Sequence, residues 1–151
     1  MIPLLASAAK SKWGWLGACV LATALFVWVI FFAPVPAALQ NRQWQLETVQ
    51  TVGGAVLWTP NPGHFTMTFN DYAFQGHGAC NTFNGDVRVT RLIDGLSFSW
   101  VFTTLVACLP SADANNESTF LGALKSATRY EVRADKLYIY YDASTKVLIF
   151  K

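Results

Sequence analysis

In the segment Gly76 to Asp86, GHGACNTFNGD, Cys80 stands among glycines with His77 three residues before it and Asn81 beside it. A thiol in that setting has three chemistries open to it. Nucleophilic catalysis needs an adjacent base and a third group to orient that base, metal binding needs converging donors, and cross-linking needs a second thiol in reach. His77 is the only near base and it sits on a glycine run, so a Cys/His nucleophile is thinly supported. His77-x-x-Cys80 with Cys108 and His64 would make a metal set, but no second closely spaced ligand pair surrounds Cys108. Asp71, Asp86 and Asp94 all lie in or beside turn sequences, where carboxylates bond local backbone instead of forming an acid pair. There is no glycine-rich phosphate loop ahead of a helix and no CxxC. The expectation is a protein that is not an enzyme, with no catalytic residues, no metal and no cofactor.

The compartment decides what Cys80 does. The chain is 53% hydrophobic and only 13% charged, and the excess lies at the front. From Trp13 through Asn41 the one ionisable side chain is the thiol of Cys19, and residues 13–33 read WGWLGACVLATALFVWVIFFA. At about 1.5 Å per residue that run makes a helix of roughly 31 Å, the thickness of a bilayer's hydrocarbon core. A single transmembrane helix over 13–33 is therefore expected. Lys10 and Lys12 hold residues 1–12 in the cytoplasm, Pro34 and Pro36 end the helix, residues 34–42 form a linker, and 43–151 become a periplasmic domain on the inner membrane. A cleaved leader ending near Val35-Pro36-Ala37 is the rival reading. Gly14, Ala18 and Ala22 recur at i, i+4, a stripe that lets a second helix approach.

Outside the cytoplasm Cys80 and Cys108 are the only two thiols of the domain, and an oxidising compartment makes a disulfide the default. Eleven Lys/Arg less Lys10 and Lys12 leave nine, against nine Asp/Glu, so the domain is neutral. Nucleic acid as a partner is excluded by that balance. The expected partners are the lipid bilayer and other membrane or periplasmic proteins.

The elements that must position these residues follow from periodicity. Gln43 to Gln50 alternates well enough for a first strand, and Phe65, Met67 and Phe69 against threonines mark the clearest period-two strand. Tyr72 to Gln75 can return as its partner, while Gly76 to Asn84 looks too glycine-rich to be regular for long. Asp86 to Arg91 and Leu96 to Phe102 flank the hairpin signal Asp94-Gly95. Asp113 to Thr128 carries Phe120, Leu121, Leu124 and Ala127 on one helical face. Three short strands close the chain, Tyr130 to Arg133, Lys136 to Tyr141 and Lys146 to Phe150. The order predicts a small antiparallel α+β domain, a curved sheet or partial barrel closed on one side by one helix. Trp44, Trp58 and Trp100, together with Tyr130, Tyr138, Tyr140 and Tyr141, are many aromatic residues for so small a domain, and most are expected in the core. Tyr138 and Tyr140 face opposite to Leu137 and Ile139, which makes the tyrosines a candidate outward contact surface.

Taken in order, several pieces resemble the META domain family, the HslJ-like envelope proteins. They are Trp44-Gln45-Leu46, then Gly76...Cys80-Asn81...Gly85, then Thr103-Thr104-Leu105-Val106-Ala107-Cys108, then Glu117-x-x-Phe120-Leu121-x-x-Leu124, and last Tyr130-x-Val132, Leu137-x-Ile139 and Leu148-x-Phe150. The resemblance covers residues 44–150. Ala79 stands where the family usually has glycine and Leu105 where it usually has arginine. The resemblance implies a fold and an envelope location, with a role carried by protein contacts: a membrane-anchored META-like domain, or alternatively an accessory subunit of an inner-membrane complex.

Overall fold

The computed structural model describes residues 12–31, 34–107 and 111–151. Helix α1 runs over Lys12–Phe31. Nine strands follow: β1 Gln43–Thr51, β2 Val56–Trp58, β3 Thr66–Phe69, β4 Ala73–His77, β5 Thr82–Thr90, β6 Gly95–Thr103, β7 Ala127–Arg133, β8 Lys136–Tyr141 and β9 Lys146–Phe150. Helix α2, Ser111–Lys125, stands between β6 and β7.

Every strand pairing is antiparallel, and the sheet closes on itself because β1 uses both of its edges. One edge takes β3 through Trp44↔Met67, with β2 further along through Val49↔Trp58. The other takes β9 through Val49↔Leu148. Eight strands thus form a ring, β1-β3-β4-β5-β6-β7-β8-β9, and β2 hangs outside it. The expected partial barrel is therefore a ring, with one thin seam. β6 and β7 meet only at Gly95↔Arg129, reinforced by Tyr130 N–H donating to Asp94 C=O at 2.9 Å. Helix α2 lies against β6 beside that seam.

Alternation along the strands fills the ring with large apolar groups. Trp44, Met67, Phe74, Phe120, Leu137, Ile139 and Phe150 are all buried. Phe120 is the helix's contribution: its ring centroid lies 5.1 Å from that of Phe65, 5.5 Å from Phe83 and 6.4 Å from Phe150. Burying such a ring is worth roughly 2–3 kcal/mol, which holds α2 against the opening. Residues 34–40 also pack on the barrel, with Val35 and Leu39 buried and the Trp44 indole N–H donating to Leu39 C=O at 3.0 Å.

The stretch expected to be irregular from Gly76 to Asn84 is mostly strand. β4 continues to His77 and β5 begins at Thr82, so only Gly78–Asn81 remains as a loop. Gly76 is tolerated there because the ring is crowded: a Cβ would stand 2.1 Å from Thr66 O and 2.4 Å from the Phe83 ring. Tyr138 and Tyr140 do pack apart from the core that holds Leu137 and Ile139, but as a covered cluster and not an open surface. Tyr140 is buried, with its hydroxyl donating to Glu131 at 3.0 Å and the Arg129 guanidinium 3.5 Å over its ring, while Tyr138 packs beside it with Val147 and Ile149.

Of the expected membrane helix, the helical backbone of Lys12–Phe31 is present and residues 17–27 are exposed. Among the described residues no helix is long and apolar enough to cross a membrane, so a span over 13–33 is not shown. Ala18 and Ala22 are exposed on α1, and Gly14 lies on the same helix.

Candidate functional site

The residues singled out around Cys80 converge, but on a carboxylate and not on the thiol. The loop Gly78–Asn81 crosses from β4 to β5, Thr104–Val106 leads out of β6, and α2 directs Glu117 at both. Glu117 Oε2 accepts the backbone N–H of Cys80 at 2.8 Å and that of Asn81 at 3.0 Å, and Oε1 accepts the Asn81 amide at 2.6 Å. Asn81 Oδ1 faces the other way, accepting the Thr104 hydroxyl at 2.9 Å and the Val106 N–H at 2.7 Å. Thr104 Oγ1 in turn accepts the Thr82 N–H at 3.1 Å. One chain of bonds therefore ties the helix, the β4–β5 loop and the strand after it to the end of β6.

Glu117 is 5% exposed and Asn81 7%, so these are buried bonds whose loss cannot be made good by bulk water. Burial pushes the Glu117 carboxyl up. The two backbone N–H groups, the Asn81 amide and the nearby charge of His77 more than offset this and hold it below its ordinary value. Three donors engage the carboxylate in its ionised state, an arrangement suited to clamping and unsuited to proton transfer. Gly78 completes the fit, because a Cβ at that position would stand within 2.3 Å of Glu117 Oε2.

The other singled-out residues divide into two groups. Trp44, Phe120 and Leu124 are core, and Gly76 and Gly85 lie on β4 and β5 where side chains would collide. Asn81, Thr104 and Glu117 form the clamp. Cys80 joins it through its backbone N–H, whereas Cys108 lies outside the described residues. His77 ends β4 with Nδ1 on Gly78 C=O at 2.5 Å, and His64 precedes β3 with a buried Nδ1 lacking a partner. Among the described residues no three His, Cys, Asp or Glu side chains converge to hold a metal.

Gly78 and the Val106 backbone escaped the sequence reading, although the Gly-x-Gly doublet flanking His77 was a signal that one of its glycines meets something. Beside the clamp, Leu105 is 95% exposed and Val106 61%. They edge a cleft of about 670 Å³ shared with Ala114, Ser118 and Leu121 of α2.

A closed antiparallel barrel with one helix clamped to its β4–β5 loop and to the end of β6 is the class of protein that this fold defines. The chain belongs to the META domain family, whose model matches residues 37–151. Among solved structures it is similar to a DUF4847 family protein from Bacteroides vulgatus, with a TM-score of 0.58 at 14% identity over 74% of this chain and 92% of that one. It is also similar to a protein from Burkholderia xenovorans, with a TM-score of 0.59 at 22% identity over 79% of this chain and 88% of that one. A comparison with curated proteins finds no match. At these identities the likeness concerns the fold.

Proposed function

We propose that the chain is a non-enzymatic, membrane-anchored META domain of the envelope that works through protein contacts. The observation that carries this reading is the exposed apolar Leu105-Val106 edge, held by the Asn81–Glu117 clamp beside a cleft of mixed polar and apolar lining. An apolar patch on a pinned loop costs less order on binding than a mobile one, which suits a partner surface. The anchor rests on the sequence of residues 13–33, which carries no Asp, Glu, Lys or Arg and as a helix would reach about 31 Å at 1.5 Å each. The orientation rests on Lys10 and Lys12, which favour a cytoplasmic N-terminus and a periplasmic barrel.

The Cys80–Cys108 bridge belongs to the same proposal. It is supported by Cys80 and Cys108 being the only two cysteines after residue 34 and by Cys19 being free. A bridge there would add a covalent tie to the loop that Glu117 holds. The alternative, an accessory subunit of an inner-membrane complex, is favoured by the exposure of Ala18 and Ala22 on α1.

The test places a photoreactive residue at Leu105 in the full chain within native membranes, with Arg88 as a control position. The expected result is retention in the membrane after an alkaline wash and one discrete adduct from position 105 and none from 88. Release by the wash, or identical labelling at both positions, would defeat the proposal. Gentle detergent extraction then separates the two forms: a stable complex points to the accessory subunit, a monomer to a domain with transient contacts.

A further inference from the structure

A second surface, which meets the cleft at Thr103 and Thr104, has a chemistry that protein contact does not explain. Two cross-strand rows cover the outside of β1 and β3–β6. One runs Gln45, Thr66, His77, Thr82, and the other Gln43, Thr68, Gln75, Asn84, Phe102. None of these carries a fixed charge, whereas the outer face elsewhere carries Arg88, Glu131, Arg133, Lys136 and Lys146. Over the rows lies an open trough of about 560 Å³, joined through Gln75, Asn84 and Phe102 to a second hollow of about 330 Å³ beside Trp100. These volumes fall in the ordinary range of small-molecule sites. Among the described residues the side chains of Gln43, Gln75 and Asn84 have no hydrogen-bond partner. His77 uses Nδ1 on Gly78 C=O, which leaves Nε2 to bond a ligand.

The end of the trough is built at a cost. β6 carries one extra residue opposite Gly85, a bulge between the pairs Asn84↔Phe102 and Asp86↔Ser99. The bulge places Trp100 at φ 51°, a left-handed conformation that bulky residues rarely adopt, and leaves its side chain 72% exposed. Phe102 beside it is 63% exposed. Gly85 makes the bulge possible, since a Cβ there would come within 2.8 Å of the Ser99 and Trp100 carbonyls. Strained backbone that displays an indole to solvent is a mark of a binding position.

We infer that this trough binds an uncharged glycan chain. Sugar rings present hydroxyls that both donate and accept, matching the amides, hydroxyls and imidazole of the two rows, and an apolar C–H face that stacks on an exposed indole or phenyl ring. An apolar protein partner would bury those amides and hydroxyls without bonds, and a polyanion would find no Lys or Arg in the two rows. Asp86, exposed beside Trp100, adds one acceptor at the rim.

The experiment uses the full chain in a detergent without a sugar headgroup, titrated with chitohexaose and with cellohexaose while tryptophan fluorescence and binding heat are followed. Saturable binding of one of them is expected, with a dissociation constant on the order of 1 mM. Trp100→Gly keeps the left-handed backbone accessible, so it should remain folded by thermal unfolding yet bind about tenfold more weakly. Gln75→Ala should weaken binding severalfold with the fold intact. The inference is overturned if neither oligosaccharide saturates, or if Trp100→Gly binds like the parent. It is also overturned if sedimentation shows that the trough is covered by a second copy which Trp100→Gly releases. None of these outcomes bears on the Leu105 adduct, so the two proposals fail separately.

Discussion

Replacing Glu117 with glutamine tests the clamp with the least change of shape. The carboxylate accepts three bonds, of 2.8, 3.0 and 2.6 Å, from Cys80 N–H, Asn81 N–H and the Asn81 amide. A glutamine oxygen can keep the two backbone donors, but its NH2 then meets the Asn81 NH2. Asn81 cannot turn over to relieve this, because its oxygen already serves Thr104 and the Val106 N–H. One charge-assisted bond is lost and one buried donor pair is opposed, a cost of about 2–3 kcal/mol, since a bond to a charged group contributes roughly 1.5–3 kcal/mol. The pH dependence identifies the cause. The folded-state pKa of Glu117 lies below its ordinary 4.5, so its contribution is complete above that value and is lost as pH falls through the folded pKa. Urea denaturation of the full chain in detergent should show the parent more stable than Glu117→Gln at neutral pH. The gap should narrow steadily once pH drops below the ordinary carboxyl range. Equal stability at neutral pH, or a gap unchanged in acid, would refute the clamp as described.

Three further expectations follow from the same contacts. Gly78→Ala should displace the carboxylate that lies within 2.3 Å of the new Cβ, costing about 2 kcal/mol, and its effect should not add to that of Glu117→Gln in a double-mutant cycle. Phe120→Ala removes the ring shared by Phe65, Phe83 and Phe150 and should lower stability by about 3–5 kcal/mol in the same denaturation assay. Burial raises the Tyr130 and Tyr141 hydroxyls above their ordinary 10.0, so their contribution is full below that value and lost as pH rises through the folded pKa. Thermal unfolding should therefore show a loss in the alkaline range, reduced in Tyr141→Phe.

The sequence by itself determined the elements whose signals are local. Alternation marked β1, β3 and the last three strands, the Asp94-Gly95 signal marked the β5–β6 hairpin, and the spacing of Phe120 and Leu124 marked α2 and its buried face. It also singled out Asn81, Thr104 and Glu117, though only as motif positions, because nothing local says that residues 36 apart share a hydrogen bond. Closure of the ring was hidden for the same reason: whether a curved sheet meets itself depends on β1 lending both edges, a property of pairing and not of any one segment. Phe98, Trp100 and Phe102 show the limit most clearly. Their even spacing assigns all three to one face, and Phe98 does point into the core. One extra residue opposite Gly85 shifts the register and turns the other two outward. Periodicity counts along the chain, while a bulge is a mismatch between two chains, so only the tertiary structure could decide which aromatic residues fill the barrel and which are shown to solvent.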